Sequence, residues 1–199
     1  MKGIIILRII IVAILVVIMG TAAFIVINKA EMSRVTLPQF TSVPEFSFLD
    51  QNEEVFDLNR LQGKISLVDF FFTRCKGPCP IMSSHMNQIY TFYSGNDNIQ
   101  IVSISVDPEY DTFEALKQYA FDQTVTDGRW NFIRNDMEHV VDLCENGFML
   151  PAEGLPGNHS TKFALVDEAG MIRGYYSGTD STSIVQIKSD IDLLLAGGQ

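Results

Sequence analysis

The stretch Val68-Asp69-Phe70-Phe71-Phe72-Thr73-Arg74-Cys75-Lys76-Gly77-Pro78-Cys79-Pro80 decides the fold. It closes an apolar run, Ile65 to Phe72, broken only by Ser66 and Asp69, which predicts a central strand covered on both faces. Gly77-Pro78 then bends the chain, and Pro80 suits the first turn of a helix predicted over Cys79 to Tyr93. Two sulfurs therefore meet a helix N-terminus. Unpaired N–H groups and the helix dipole there favour thiolate, the form of cysteine that attacks disulfides and binds soft metals. Three residues separate Cys75 from Cys79, so in a helical or near-helical turn both side chains share one face. That spacing suits a strained disulfide or the clamping of one ion, and it leaves more room for a metal than Cys-x-x-Cys does.

Working outward, Pro44–Leu49 and Glu54–Leu58 flank the turn-forming Asp50-Gln51-Asn52 and read as a hairpin. Ile99–Val106 reads as a second buried strand, and Thr112–Phe121 and Met137–Glu145 as helices. Thr161–Asp167 and Met171–Ser177 are joined by Glu168-Ala169-Gly170 as a second hairpin, and Ser183–Leu195 closes the chain as an amphipathic helix. Strands alternating with helices require a partly parallel sheet. The predicted class is α/β: a thioredoxin-like fold with an N-terminal hairpin and an insertion before the final β-hairpin, preceded by one transmembrane helix.

That helix is expected over Ile9–Ile27, 19 uncharged residues preceded by Lys2 and Arg8. Gly20-Thr21-Ala22-Ala23 offers small residues for cleavage, but the apolar run continues through Phe24 to Ile27, which favours an uncleaved anchor. The organisation predicted is an anchor over 1–28, a tether over 29–42 and one domain over 43–199. Positive residues flank both ends of the span and orient it only weakly; the orientation chosen places the N-terminus inside and the domain outside. The net charge of −10 argues against a nucleic-acid partner and disfavours adhesion to anionic lipid. Three cysteines are too few for a disulfide scaffold, and a domain of about 155 residues buries an adequate core without one.

His159 lies in a Gly/Pro-rich stretch just before the second hairpin. In a thioredoxin-like chain the start of that strand packs beside the active-site sulfurs, so His159 completes a Cys-Cys-His set. Thiolates select Cu(I) while imidazole also suits Cu(II); zinc would accept the same three ligands with an open fourth position. Lys76 is placed to offset the net negative charge of Cu(I) held by two thiolates. Met82 and Met86 form a core stripe with Ile89 and Tyr93, His85 at its edge is expected to reach solvent, and His139 is expected on the surface. Cys144 recurs with Val140, Val141 and Phe148 at helical spacing and reads as a small buried hydrophobe. Asp107, in Ser105-Val106-Asp107-Pro108, reads as a turn that caps or holds a loop near the site.

From Pro44 onward the chain resembles the Sco (SenC) family of membrane-anchored, thioredoxin-like proteins. The resemblance is carried by Phe70-Phe71-Phe72-Thr73-Arg74-Cys75 through Cys79-Pro80, by Ser103-Ile104-Ser105-Val106-Asp107-Pro108 with Asp111-Thr112, and by His159-Ser160. Lys76 and Asn158 depart from the family's common proline and acidic residue. The resemblance implies copper, Cu(I) or Cu(II), held by Cys75, Cys79 and His159, with Cys75 and Cys79 as a redox-active pair. It implies a metallochaperone or thiol reductant for the Cu(A) site of cytochrome c oxidase. Its partners would be the oxidase subunit carrying Cu(A), a copper donor and a thiol reductant. The implied location is a bacterial cytoplasmic (inner) membrane, single-pass, with the domain in the periplasm or extracytoplasmic space. The alternative is a copper-independent thiol–disulfide oxidoreductase acting on extracytoplasmic cysteines, which would not need His159. A thiol peroxidase is disfavoured because Thr73 stands two residues before Cys75, not three.

Overall fold

The computed structural model describes the backbone of residues 2–32 and 36–197, and the side chains of 10–25 and 36–197. Every residue of β3 (Ile65–Phe71) is buried, as its nearly unbroken apolar run requires. It sits inside a seven-stranded sheet of order β2-β1-β5-β4-β3-β6-β7. β4 (Ile99–Ser105) and β5 (Trp130–Arg134) run parallel to it, while β6 (Lys162–Val166) and β7 (Ile172–Ser177) form the antiparallel hairpin on its other side. β1 (Ser47–Asp50) and β2 (Val55–Asp57) are the N-terminal hairpin, paired to β5. The Asp50 carboxylate closes their turn by accepting from the Asn52 and Glu54 N–H groups. This is the predicted thioredoxin-like α/β order.

Helices cover both faces. α3 (Cys79–Phe92), α4 (Phe113–Asp122) and α6 (Thr182–Leu195) share one core with Ile65, Leu67 and Phe71. α2 (Leu58–Leu61) and α5 (Met137–Asp142) share the other with Val68 and Phe70. The alternation follows the two-residue period of a strand, and each such fully buried side chain contributes about 1.5–3 kcal/mol. Met82, Met86, Ile89 and Tyr93 are buried in the first core, as the helical stripe predicts.

Four features differ from the sequence reading. β5 was not expected: its five residues include Asn131 and Arg134, and the Asn131 amide oxygen accepts from Arg60, 71 residues away, while its NH2 donates to the Gly128 carbonyl. The helix beginning at Met137 turns π-helical at Leu143–Gly147, which carries the buried Cys144. His85 does not reach solvent; it is buried, with Nδ1 2.8 Å from the Gly178 carbonyl. The predicted tether, 29–42, is in part bound to the domain, because Phe40, Thr41 and Val43 make backbone hydrogen bonds with Ile172 and Gly170.

At the N-terminus the backbone forms α1 (Lys2–Met32). Among the described residues no helix is long and apolar enough to cross a membrane. The expected span, Ile9–Ile27, extends past the described side chains, 10–25, at both ends.

At Gly178 the end of the hairpin lies close against α3. A Cβ there would lie 2.9 Å from the Phe163 ring, 2.9 Å from the Thr161 carbonyl and 3.0 Å from Met82. Gly178→Ala is expected to cost about 1–3 kcal/mol, read as a lower urea midpoint with an unchanged m-value.

Candidate metal and redox centre

Where β3 ends the chain turns, and α3 begins at Cys79 with Pro78 as its N-cap. Cys79 is buried and Cys75 is half-buried; both are free thiols. β6 enters the sheet antiparallel to β3, so the residues just before it lie beside the end of β3. That register brings His159 to the sulfurs across 80 residues of chain, with Nε2 3.3 Å from Cys79 Sγ. Phe72 packs edge-on against the imidazole at 5.5 Å. One donor atom from each of Cys75, Cys79 and His159 lies within 4.8 Å of the others.

The imidazole is oriented for donation. Its Nδ1 lies 3.1 Å from the Ser160 carbonyl, which requires a hydrogen on Nδ1 and leaves the Nε2 lone pair directed at Cys79. Burial lowers the His159 pKa below its ordinary value, so the ring is neutral at pH 7. Two soft sulfurs and a borderline nitrogen fit copper.

Burial also corrects one expectation. A helix N-terminus favours thiolate, but Cys79 is almost wholly inaccessible, and desolvation pushes its pKa up. Without a bound cation the buried sulfur is a thiol, because a dipole at one helix end does not offset the removal of water.

Three acidic residues bear on this cluster, of which Asp111 and Asp69 were missed as site components. Asp111 is fully buried and accepts hydrogen bonds from the Thr73 N–H and hydroxyl and from the Ser105 hydroxyl. It thereby ties the loop before Cys75 to the end of β4. Asp107 pairs with Arg74 at 2.7 Å, and the Arg74 guanidinium lies 3.3 Å over the Tyr110 ring. The sequence reading had Asp107 in a turn near the site, which this pairing makes specific. Asp69 lies on the α3 side of β3, by the alternation that puts Leu67 and Phe71 there. Its Oδ1 has no hydrogen-bond partner, and burial pushes its pKa up to about 7, offset in part by Ser103. The signal was available as the one acidic residue in a strand covered on both faces.

Of the other candidates, His139 is on the surface, paired with Asp136 at 2.8 Å. Cys144 faces the Leu150 carbonyl at 3.5 Å, and burial pushes its thiol up to about 12. His85 belongs to the packing of α3 against Gly178 and stands apart from the cluster of three donors.

A thioredoxin-like domain with two cysteines at the end of its first central strand and a histidine beside them defines a class of thiol and metal proteins. The SCO1/SenC family model matches residues 35–192, and the chain belongs to this family. The SCO1 protein homolog of Bacillus subtilis is 29% identical over 155 residues, covering 75% of this chain and 80% of that one. A Stutzerimonas stutzeri protein named for copper binding is 30% identical over 149 residues, covering 70% and 71%. The structure of BsSco superposes with a TM-score of 0.71 at 27% identity over 80% of this chain and 96% of that one. That protein is described as having a disulfide switch and as a member of the Sco family of cytochrome c oxidase assembly proteins.

The raised Asp69 pKa has a definite sign. Its contribution to stability is fully present below about pH 4 and is lost as pH rises through about 7, because only the unfolded chain ionises freely between those values. Asp69→Asn removes the ionisation. Relative to the parent, the variant is expected to gain about 2 kcal/mol between pH 5 and pH 8 in urea unfolding. A difference independent of pH would show that the carboxyl does not titrate in this range.

Proposed function

We propose that this protein is a membrane-anchored copper-binding assembly factor for the Cu(A) site of cytochrome c oxidase, with Cys75, Cys79 and His159 as the copper ligands. One observation carries the reading: a neutral imidazole aims its free nitrogen at Cys79 from 3.3 Å. Disulfide exchange needs two sulfurs and no imidazole. Copper is the cargo here. The thiols give up their protons on binding it, so uptake is favoured by rising pH. The relatives' copper and oxidase-assembly descriptions support the same assignment.

Anchoring by Ile9–Ile27, and a domain on the extracytoplasmic side of a bacterial membrane, belong to this proposal. They rest on the uncharged run and the lysine and arginine that precede it.

A second reading has its own observation: both cysteines are free, and Cys75 is the more accessible. In it, the Cys75 thiolate attacks a target disulfide, forming a mixed disulfide and releasing one target thiolate. Cys79 loses its proton and attacks the Cys75 sulfur, releasing the second target thiolate and closing the Cys75–Cys79 disulfide. Two electrons pass to the target, whose cysteines are then ready to receive metal.

His159→Ala separates the two. The variant is expected to lose most Cu(II) binding, at least about tenfold in affinity, with a weakened sulfur-to-copper charge-transfer band. Reversible Cys75–Cys79 disulfide formation is expected to persist, measured by thiol counting after alkylation. Unchanged Cu(II) affinity and spectrum would remove His159 from the ligand set and favour the oxidoreductase.

A further inference from the structure

α3 meets the end of the β6–β7 hairpin along one row of side chains. Cys79, Met82 and His85 follow at three-residue spacing, which places them on successive turns of a single helix stripe. Cys79 Sγ lies 3.3 Å from His159 Nε2. Met82 packs where a Cβ on Gly178 would come within 3.0 Å of it. His85, 8% exposed, holds the Gly178 carbonyl from Nδ1 at 2.8 Å. A carbonyl only accepts, so Nδ1 carries the hydrogen. Among the described residues this is the one hydrogen bond from α3 to the hairpin's end apart from the Cys79–His159 contact.

Gly178 is bound in turn to the His159 loop. Lys162 pairs with Ser177 at the mouth of the hairpin, and one step beyond, the Gly178 N–H donates to the Thr161 carbonyl at 2.8 Å. Thr161 stands two residues after His159, whose Nδ1 donates to the Ser160 carbonyl at 3.1 Å. A closed circuit results. It runs along about 9 Å of helix from Cys79 to His85, through Gly178 and Thr161 to His159, and back across the 3.3 Å gap to Cys79. An apolar side chain would fill the buried place of His85 at lower cost, because an imidazole there must be hydrogen-bonded to offset its loss of water. What the imidazole adds is a directional fastening.

The three donors are unevenly placed across the gap. Both sulfurs belong to the start of α3 and the turn before it, and His159 alone stands on the hairpin side. A change in the spacing of helix and hairpin therefore moves the imidazole away and leaves the two sulfurs together. From this arrangement we infer that His85 is a positioning residue for the copper site: it holds His159 within reach of Cys79, so Cu(II) binding depends on His85 while Cu(I) binding and Cys75–Cys79 disulfide formation do not. The inference rests on the copper reading proposed above, with His159 as a ligand.

Three variants of the full chain test it. His85→Phe keeps a ring and removes the donor, His85→Asn puts an amide nitrogen near the place of Nδ1, and His85→Gln puts it one bond farther out. Each reduced protein, in detergent micelles under argon, is titrated with Cu(II) and separately with Cu(I) against a competing chelator, and its Cys75–Cys79 disulfide is equilibrated with dithiothreitol. His85→Phe is expected to weaken Cu(II) about tenfold, the low end of what outer partners of metal ligands contribute, with a weakened sulfur-to-copper charge-transfer band. Cu(I) affinity and the disulfide equilibrium are expected to stay at the parent's values. His85→Asn should restore Cu(II) binding and His85→Gln should not, a comparison that stands even if His85→Phe fails to fold. Unchanged Cu(II) binding in His85→Phe and His85→Gln would overturn the inference, as would parallel losses of Cu(I) and Cu(II), which mark a merely structural role. Where His159→Ala loses Cu(II) and the His85 variants do not, this inference alone falls. Where His159→Ala also keeps Cu(II), the ligand reading fails and takes the inference with it.

Discussion

The approach of His159 Nε2 to Cys79 Sγ, 3.3 Å across 80 residues of chain, is the constraint on which the rest of the structure depends. Each partner arrives from a different element: the sulfur from the first residue of α3, the ring from the loop entering β6. Their meeting requires the antiparallel register of β6 on β3 and the close approach of α3 to Gly178. It requires as well the Asp111 hydrogen bonds that hold Thr73 at the end of β4. A slip of one residue between β3 and β6 would turn the side chains leading to His159 to the other face of the sheet.

Burial tunes His159 and Cys79 in different directions. It keeps His159 neutral, and so able to donate a lone pair, while it keeps Cys79 protonated until something positive or electrophilic displaces the proton. Cys75 is the more accessible of the two sulfurs. Asp69 adds a buried carboxyl with an unsatisfied oxygen under α3, whose charge would oppose thiolate formation at Cys79 and ionisation of Tyr119. The site is therefore held in low-charge forms by its surroundings.

The domain uses its sheet edges for different ends. One is closed by the β1–β2 hairpin, tied through Arg60 to Asp50 and to Asn131 on β5. The other is covered by residues 37–43, fastened through Arg173. Both arginines satisfy carbonyl, carboxylate or amide oxygens in a fork that lysine cannot reproduce. The second also determines where the chain enters the domain.

The sequence by itself determined what is local. Apolar periodicity sets β3, α3 and the stripe of Met82 and Met86; turn residues set the two hairpins; and the spacing of Cys75 and Cys79 puts both sulfurs at one helix start. His159 was legible only through topology, as the residue before a strand whose neighbour could be inferred. Tertiary structure decided what depends on partners distant in sequence. β5 reads as a strand only once β4 and β1 pair with it on either side, and His85 is buried only because Gly178 lets the hairpin come close. The Leu37–Val43 segment looks like a polar tether until Arg173 and the edge of β7 supply its hydrogen bonds. The protonation of Cys79 belongs here too: a helix N-terminus can be read from sequence, but the loss of water around the sulfur is a property of the packed whole, and it outweighs the dipole.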